Sequence, residues 1–413
     1  MPIPVALFRF LERSLWIKYV SIINTLMKFE ITGIGYPNKG AELMLRAAGD
    51  AIRQEFGVGT VVTSIPDRTS DIGYRCVGKN GYNLRFSIVI EGRDFGPAIA
   101  RLLPKSLLRS YGAYAQNEID WFFDASGLRY SDRWGAGTLK RSIRDYTRAK
   151  KNGGRIIMLP QAFGPFEEPE VRSLIPQLIE LADLVYVRDG ISMQLLSSVV
   201  GQQEKIRLAP DFTALTAGYR PEDIDEFDGK ICVVPNARML DMTSGGVAEN
   251  YITLLREVVR RAHEAELDTF VLNHEGHGDD ALCREFAESF DPPLQYTGER
   301  EALEVKGIIG SSAGLVTSRF HGLVSGLCQG VPSLSTSWNH KYEELCASYG
   351  TPRSIIDPST GMSGNSDQIE CWIEDIKDTE LTQTKSLKAH AVEQKAAIRA
   401  MWQDIFQLVR AAS

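Results

Sequence analysis

Short apolar segments alternate with longer amphipathic segments along the chain. The short segments are rich in β-branched and aromatic residues and predict buried strands, whereas the longer ones place apolar residues on one face of a helix. This alternation is typical of α/β proteins with parallel strands. In the first half it predicts strands at residues 29–34, 61–64, 121–125, 155–159, 184–187 and 206–208, with helices at 41–54, 137–151 and 170–182.

An acidic, turn-rich segment at residues 217–230, AGYRPEDIDEFDGK, interrupts the alternation. It predicts a linker, because a chain of 413 residues is long enough for two domains of about 200 residues each. The alternation then restarts, and the last segment, rich in Ala, Lys, Gln and Leu, predicts one long helix. The second half is predicted to form strands at residues 231–235, 269–273, 314–318 and 332–335 and helices at 246–265, 279–290, 322–329 and 385–411.

The predicted fold is therefore α/β, with two Rossmann-like domains that face each other across a cleft. This is the architecture of the GT-B glycosyltransferase fold. The predicted domains are residues 27–220 and 230–380, followed by a C-terminal helix at 381–413. In such a fold, ligands bind where loops leave the carboxyl ends of the strands. The strand-to-helix junctions are therefore where functional residues are expected.

Residues 1–26 precede the first predicted strand and form a separate apolar extension. Charged residues such as Arg9, Glu12 and Lys18 interrupt it, so it contains neither a signal-peptide core nor an apolar run of about 20 residues that would span a bilayer. Two interpretations remain open. The extension is either an amphipathic helix in peripheral contact with the inner face of the plasma membrane, or a segment translated from an upstream start codon.

Composition narrows the class of partner. The chain is 43% hydrophobic and 24% charged, as in a globular protein, and its net charge of −7 argues against binding to nucleic acid. The six cysteines are scattered without a metal-binding spacing, which favours reduced thiols in a cytoplasmic protein. A local basic pocket for a small anion remains compatible with these numbers.

Three junctions in the first half carry polar residues that are candidates for substrate binding. In the first, GIGYPNKGAE, a glycine-rich loop precedes a helix, so its backbone N–H groups could bind an anion or a hydroxyl. The alternative is structural: the glycines form a turn, and the acidic residue compensates the dipole at the start of the helix. In WFFDASG the carboxylate at the strand end either anchors the loop or contacts a sugar hydroxyl. In MLPQAFGPF an amide stands at the strand end. The candidates are Asn38, Gly40, Glu42, Asp124 and Gln161.

The segment VYVRDGIS places Arg188 directly after a strand, with Asp189 and Ser192 at the start of the next helix. A guanidinium at this position is suited to clamp a carboxylate or a phosphate, because it is planar and permanently charged. The alternative is an ion pair with Asp189 or Asp211, which would contribute little to stability at a surface.

The segment TSRFHGLVSGLCQGVPSLS is the strongest candidate for a catalytic site. Arg319 follows the apolar strand and His321 begins a helix, so a guanidinium and helix N–H groups converge on one point that would bind phosphate or carboxylate. His321 is either a proton donor or a helix-capping core residue. Lys341 follows the next strand, and consecutive strand ends are neighbours in a parallel sheet, so it is expected to reach the same anion.

The segment NHEGHGDD resembles a metal cluster but lacks the spacing of one. His274 and His277 precede a predicted helix, and Asp279 and Asp280 stand in its first turn. Helix capping is the favoured interpretation, and no metal site is predicted.

Taken together, the motifs YPNKGAELML, QAFGPF, VRDGIS, PDF, SRFHGLVSGLCQGVPSLS and HKYEEL resemble those of the polysaccharide pyruvyl transferase family. They occur in family order from about residue 29 to residue 346. The resemblance implies transfer of the enolpyruvyl group of phosphoenolpyruvate to a sugar of a polysaccharide or its lipid-linked precursor, giving a pyruvate ketal. It implies anion-binding roles for Arg188, Arg319 and Lys341 and an acid role for His321; Asp211 of PDF joins the predicted substrate-binding set.

The chemistry fits these residues, because phosphoenolpyruvate is a small trianion that needs fixed cations and a proton donor. Neither a metal nor another cofactor is required. Two other classes of protein stay open. One is a glycosyltransferase with a nucleotide-sugar donor; no obvious acidic ribose-binding residue follows the Arg-x-His motif, which argues against this class. The other is a glycan-binding protein without activity. The acceptor sugar and the oligomeric state are not predicted.

Overall fold

The structure is a computed structural model, and it describes residues 27–34, 38–57, 60–63, 77–91, 93–241, 243, 246–336, 340–361, 363–378 and 382–412. The predicted extension at residues 1–26 lies outside the described residues. The strands are β1 (Lys28–Thr32), β2 (Thr60–Thr63), β3 (Asn83–Arg85), β4 (Val89–Ile90), β5 (Arg93–Asp94), β6 (Ala113–Tyr114), β7 (Trp121–Asp124), β8 (Arg155–Gln161), β9 (Leu184–Val187), β10 (Ile206–Leu208), β11 (Ile231–Val234), β12 (Thr269–Asn273), β13 (Gln295–Glu299), β14 (Gly314–Thr317), β15 (Ser333–Thr336) and β16 (Ile355–Ile356).

The strands form two separate parallel sheets, one in each half of the chain. The first contains eight strands in the order β10-β9-β8-β7-β1-β2-β3-β6, and the second contains six in the order β13-β12-β11-β14-β15-β16. Strands β4 and β5 form a small antiparallel hairpin outside both sheets. Between β10 and β11 the chain passes from one sheet to the other through two short 3-10 turns.

Helices connect nearly all of these strands, as the amphipathic segments predict. They are α1 (Lys39–Phe56), α2 (Gly96–Ala100), α3 (Lys105–Ser110), α4 (Gly135–Lys151), α5 (Pro169–Leu181), α6 (Gly190–Val200), α7 (Arg238–Asp241), α8 (Gly246–Glu264), α9 (Asp280–Glu288), α10 (Ala302–Ser311), α11 (Phe320–Leu327), α12 (His340–Ser348), α13 (Ser366–Lys377) and α14 (Thr382–Ala411).

The C-terminal helix α14 returns to the first half of the chain. Trp402 stacks on Phe406, whose ring packs edge-on against Phe56 of α1, and Asp404 accepts a hydrogen bond from the hydroxyl of Tyr186 on β9. The apolar side chains of α14 therefore belong to the same core as β1 and β7. The long C-terminal helix predicted from the sequence is confirmed.

Each sheet has a topological switch point, where consecutive connections leave in opposite directions. In the first sheet it lies between β1 and β7, and in the second between β11 and β14. Loops that leave the carboxyl ends of strands on either side of a switch point diverge and open a crevice, which is the usual ligand site of such sheets. The two crevices face each other and form one cavity.

Candidate functional site

The carboxyl edges of the two sheets enclose a cavity of about 290 Å³. Its wall combines groups from junctions after β1, β7 and β9 of the first half with groups from junctions after β11, β12, β14 and β15 of the second. The polar residues among them are Asn38, Ser126, Arg133, Arg188, Asn236, Arg238, His274, Glu275, Ser318, Arg319, His321, Lys341 and Tyr342.

The structure brings most of the predicted site residues together. The cavity wall contains six of the ten: Asn38, Gly40, Arg188, Arg319, His321 and Lys341. Asp211 lies directly behind it, in contact with two of these residues. The remaining three lie elsewhere in the first half.

His321 stands in the first turn of α11, immediately after the strand-end segment that carries Arg319. Its ring reaches across to the first half of the chain, where a Cβ added to Gly40 would lie only 2.3 Å from Nδ1. A side chain at position 40 would therefore displace the imidazole, which explains the glycine near the start of α1. On the other side of the ring, Nε2 lies 3.6 Å from Oδ2 of Asp211.

The surroundings of His321 favour the neutral form of its imidazole. Burial lowers the pKa of His321 to about 4; the carboxylate of Asp211 opposes this shift, and Arg188 and Lys341 reinforce it. An anion bound beside these two cations would cancel their repulsion and raise the pKa of the imidazole. His321 can therefore gain a proton when an anionic ligand enters.

Asp211 holds Arg188 and His321 at the same place. Its Oδ2 accepts a hydrogen bond of 3.1 Å from Nη1 of Arg188, and its Oδ1 accepts from the backbone N–H and the hydroxyl of Thr213. Burial alone would raise the pKa of Asp211, but His321, Arg188 and the Thr213 hydrogen bonds outweigh burial and lower it. The carboxylate is therefore ionised and fixed, and it positions one cation and one titratable ring.

Lys341 and Arg188 flank the ring of Phe320 at the cavity wall. The Lys341 ammonium lies 5.1 Å from the ring centroid and the Arg188 guanidinium 4.1 Å from it, which are cation–π distances. Burial, followed by the positive charges of Arg188 and Arg133, lowers the pKa of Lys341 to about 7, against the opposing effect of Asp189. A wall on which these cations gather is suited to an anionic ligand.

Arg319 occupies the opposite wall and is neutralised by protein carboxylates. Its Nε and Nη2 bind both oxygens of Asp279, at 2.6 to 3.0 Å, and its Nη1 lies 3.1 Å from Glu275. Asp279 occupies the N-cap position of α9, but its carboxylate makes no capping hydrogen bond there. The prediction that Asp279 caps this helix is therefore wrong, because its carboxylate pairs with the guanidinium of Arg319 instead.

Three of the predicted site residues do not line the cavity. Glu42 is buried in α1 and pairs with Lys39 at 3.5 Å. Asp124 accepts hydrogen bonds from Ser126, Tyr130 and Tyr146, which is the loop-anchoring arrangement.

Gln161 is the third of these residues. It is fully buried, and neither polar atom of its amide finds a hydrogen-bond partner among the described residues. The structure brings neither Gln161 nor the other two into contact with the cavity.

Sequence reasoning missed several polar groups of the wall. Arg133 lies on a short 3-10 turn, Asp132–Trp134, which a search limited to strand ends does not reach. Glu275 accepts a hydrogen bond of 3.1 Å from Nδ2 of Asn38, so it joins the two halves. His274 is buried, and burial, with Arg319 next, lowers its pKa to about 3. The sequence did contain a signal for Glu275 and His274, because both belong to the polar segment NHEGHGDD after β12.

Two searches of the described residues were negative. They contain no group of three or more His, Cys, Asp or Glu side chains placed to hold a metal ion. No helix among them is long and apolar enough to cross a membrane.

The family model for polysaccharide pyruvyl transferase matches residues 38–340 of the chain. The matched range extends from the N-cap of α1 to the first residue of α12, so it includes almost every junction of the cavity wall. No curated protein matches the chain significantly.

Several solved structures of low sequence identity align with most of the chain. The Staphylococcus aureus MnaA–UDP co-structure aligns with a TM-score of 0.57 at 12% identity, over 93% of this chain and 97% of that one. UDP-GlcNAc 2-epimerase from Neisseria meningitidis, bound to UDP-GlcNAc, gives 0.56 at 12% identity over 92% and 100%. The glycotransferase of kitacinnamycin gives 0.51 at 14% identity over 93% and 99%. These similarities confirm the predicted GT-B-like fold.

Proposed function

Because the chain belongs to the polysaccharide pyruvyl transferase family, we propose that it transfers the enolpyruvyl group of phosphoenolpyruvate to a sugar of a polysaccharide or of its lipid-linked precursor. The products are a pyruvate ketal and inorganic phosphate. The observation that carries the proposal is the convergence of Arg188, Lys341 and Arg133 beside His321 in a cavity of about 290 Å³. A small trianion matches both the charge and the size of this cavity.

Arg188 and Lys341 hold the donor in this proposal. Arg188 is fixed by Asp211 and Lys341 lies against the same aromatic ring, so both cations are in place before the donor arrives. Preorganised charges of this kind stabilise developing charge without a reorganisation cost. Arg133 adds a third positive charge to the cavity wall.

His321 supplies the proton. Donor binding raises its pKa, and the imidazolium then protonates the methylene carbon C3 of phosphoenolpyruvate, which leaves an electron-deficient centre at C2. A sugar hydroxyl attacks C2, forms a C–O bond and gives up its proton. The bond between C2 and the phosphate oxygen breaks, and phosphate leaves with its electron pair and one proton. Attack by a second hydroxyl closes the ketal, so the two protons lost by the hydroxyls balance those gained by C3 and phosphate.

The direct test incubates the full chain with phosphoenolpyruvate and a panel of saccharides, and measures phosphate release and acceptor mass together. We expect phosphate release that depends on the acceptor and a mass increase equal to one ketal-linked pyruvate. His321→Ala should abolish both signals, and Val392→Ser, at an exposed position of α14 that is not part of the cavity wall, should leave them unchanged. Turnover of a nucleotide sugar without consumption of phosphoenolpyruvate would contradict the proposal.

A further inference from the structure

Exposed apolar side chains are concentrated in one small part of the surface. Among the described residues, eleven large apolar side chains are exposed, and six of these fall within residues 86–91 and 93–112, here called the hairpin lobe. Leu102 is 84% exposed and Tyr111 78% exposed, the two largest values of the eleven. The six are Val89, Ile90, Phe95, Leu102, Leu107 and Tyr111. Isolated exposed apolar residues need no explanation, but such a concentration indicates a binding surface.

The architecture of the hairpin lobe keeps these side chains outside. The lobe consists of the β4–β5 hairpin followed by α2 and α3, and its interior is a satellite cluster built on Ala100, Leu108, Ala113 and Ala115. This cluster is too small to cover large side chains. Leu107 and Tyr111 are four residues apart on and just after α3, so they share one side of the helix.

The charge of the hairpin lobe is opposite to that of the chain. The lobe carries four cationic residues against two acidic ones, whereas the whole chain has a net charge of −7. Arg93 and Arg101 are exposed among the apolar side chains. Lys105 and Arg109 both pair with Glu118, so one carboxylate offsets two cations there. Apolar side chains interspersed with cations match the surface of a bilayer that contains anionic lipids.

The lobe connects two neighbouring parallel strands of the first sheet. It follows the carboxyl end of β3 and ends at residue 112, just before the amino end of β6. The β4–β5 hairpin therefore lies toward the edge of the sheet at which β1 and β7 open into the cavity, whereas Leu107 and Tyr111 lie toward the opposite edge.

We propose that the hairpin lobe docks the protein on an anionic lipid bilayer, inserting Leu102, Leu107 and Tyr111 while Arg93 and Arg101 contact lipid headgroups. The proposed contact residues do not include residues 1–26. The inference goes beyond the proposed function, because docking requires neither donor nor acceptor. Failure of the docking test therefore leaves the transfer reaction untouched, and failure of the transfer assay leaves docking untouched.

The test measures sedimentation of the full chain with vesicles of phosphatidylcholine alone and of equal parts phosphatidylcholine and phosphatidylglycerol. We expect binding to the anionic vesicles that weakens as salt is raised. The double substitution Leu102→Ser and Tyr111→Ser should reduce affinity by about tenfold or more, because each side chain loses its burial in lipid. Arg93→Ser with Arg101→Ser should reduce affinity by about five- to thirtyfold, and only for the anionic vesicles.

Matched controls are available on other surfaces. Val392→Ser removes an apolar side chain that is 66% exposed on α14, and Arg256→Ser removes an exposed cation on α8; both should bind like the unmodified chain. The substituted positions are exposed, so the melting temperatures should stay equal. Vesicle binding that is unaffected by both lobe substitutions would overturn the proposal, since residues 1–26 or another surface would then carry it. Loss of a dimer by light scattering, with vesicle binding unchanged, would instead assign the lobe to a second copy of the chain.

Discussion

Arg188 and Arg319 occupy similar positions in the two halves of the molecule, close behind a strand of the central sheet, yet their surroundings differ. Arg188 shares the carboxylate of Asp211 with His321 and has Lys341 and Arg133 nearby. Arg319, by contrast, binds two carboxylates. An arginine at a strand end is therefore better suited to an anionic ligand where other cations gather around it, as they do around Arg188, than where two carboxylates bind its guanidinium.

The substitution with the largest expected effect tests whether the catalytic residues lie on the Arg188 side of the cavity. His321→Ala removes the proton donor held by Asp211, so we expect transfer to fall by about 10² to 10⁴-fold, the usual contribution of a general acid. Donor affinity should change much less, because Arg188 and Lys341 remain. The measurements are single-turnover phosphate release and calorimetric binding of phosphoenolpyruvate. Retention of most of the transfer rate would remove His321 from the mechanism.

The next substitution compares the two arginines directly. Arg319→Met leaves Asp279, which is fully buried, without its cation, and breaking a buried pair costs about 3 to 5 kcal/mol of unfolding free energy. Arg188→Met also breaks a buried pair, because Asp211 loses its cation, and it should in addition weaken donor binding by about 30-fold or more, since it removes one of the cations that contact the anion. Denaturant unfolding and calorimetric binding separate the two losses. If Arg319→Met weakens donor binding and leaves the free energy of unfolding unchanged, Arg319 binds the donor and this account of the two arginines is wrong.

A smaller effect concerns pH. The pKa of Lys341 is lowered to about 7, so its ammonium is present below this pH and is lost as pH rises above it. Donor affinity should therefore fall above pH 7, with a limiting slope of about tenfold per pH unit. Lys341→Arg keeps a charge at all these pH values and should remove the decline between about pH 7 and pH 9. Equal slopes in both proteins would show that another group controls binding.

The last prediction concerns the pH dependence of stability on the Arg319 side, where His274 is buried. Its pKa is lowered to about 3 from an ordinary value of 6.5, so between these values the unfolded chain binds a proton that the folded chain does not. Stability should consequently fall as pH decreases through this window, by about 1.4 kcal/mol per pH unit for this residue. His274→Gln should flatten the slope of unfolding free energy against pH, and His277→Gln, at an exposed position in the same loop, should not. An unchanged slope in His274→Gln would contradict this account.

Much of the fold was accessible from the sequence, because continuous apolar runs are a local signal. The strands Leu184–Val187, Ile206–Leu208 and Thr269–Asn273 have the predicted bounds. Gln295–Glu299 and Ile355–Ile356 were missed, since the first is polar and the second has only two residues. These two edge strands are defined by their backbone hydrogen bonds to neighbouring strands, which no local pattern records.

The candidate site was accessible only in part, for a related reason. Parallel topology brings strand ends together, and this placed Arg188, His321 and Lys341 at one cavity. The pairing of Arg319 with Asp279 depends on two loops that are distant in sequence, so its neutralisation could not be read from residue types. The same applies to Asp124, whose partners Tyr130 and Tyr146 become neighbours only when the loop closes.

His321 and Gly40 meet where the two halves of the chain come together. His321 belongs to the second half, whereas Gly40 and Asp211 belong to the first. A hinge rotation that opened the cleft would carry the imidazole away from its carboxylate without altering either half internally. In the proposed reaction, such a rotation would separate the acid from the carboxylate that positions it, so a donor bound in an open cleft would meet no positioned acid.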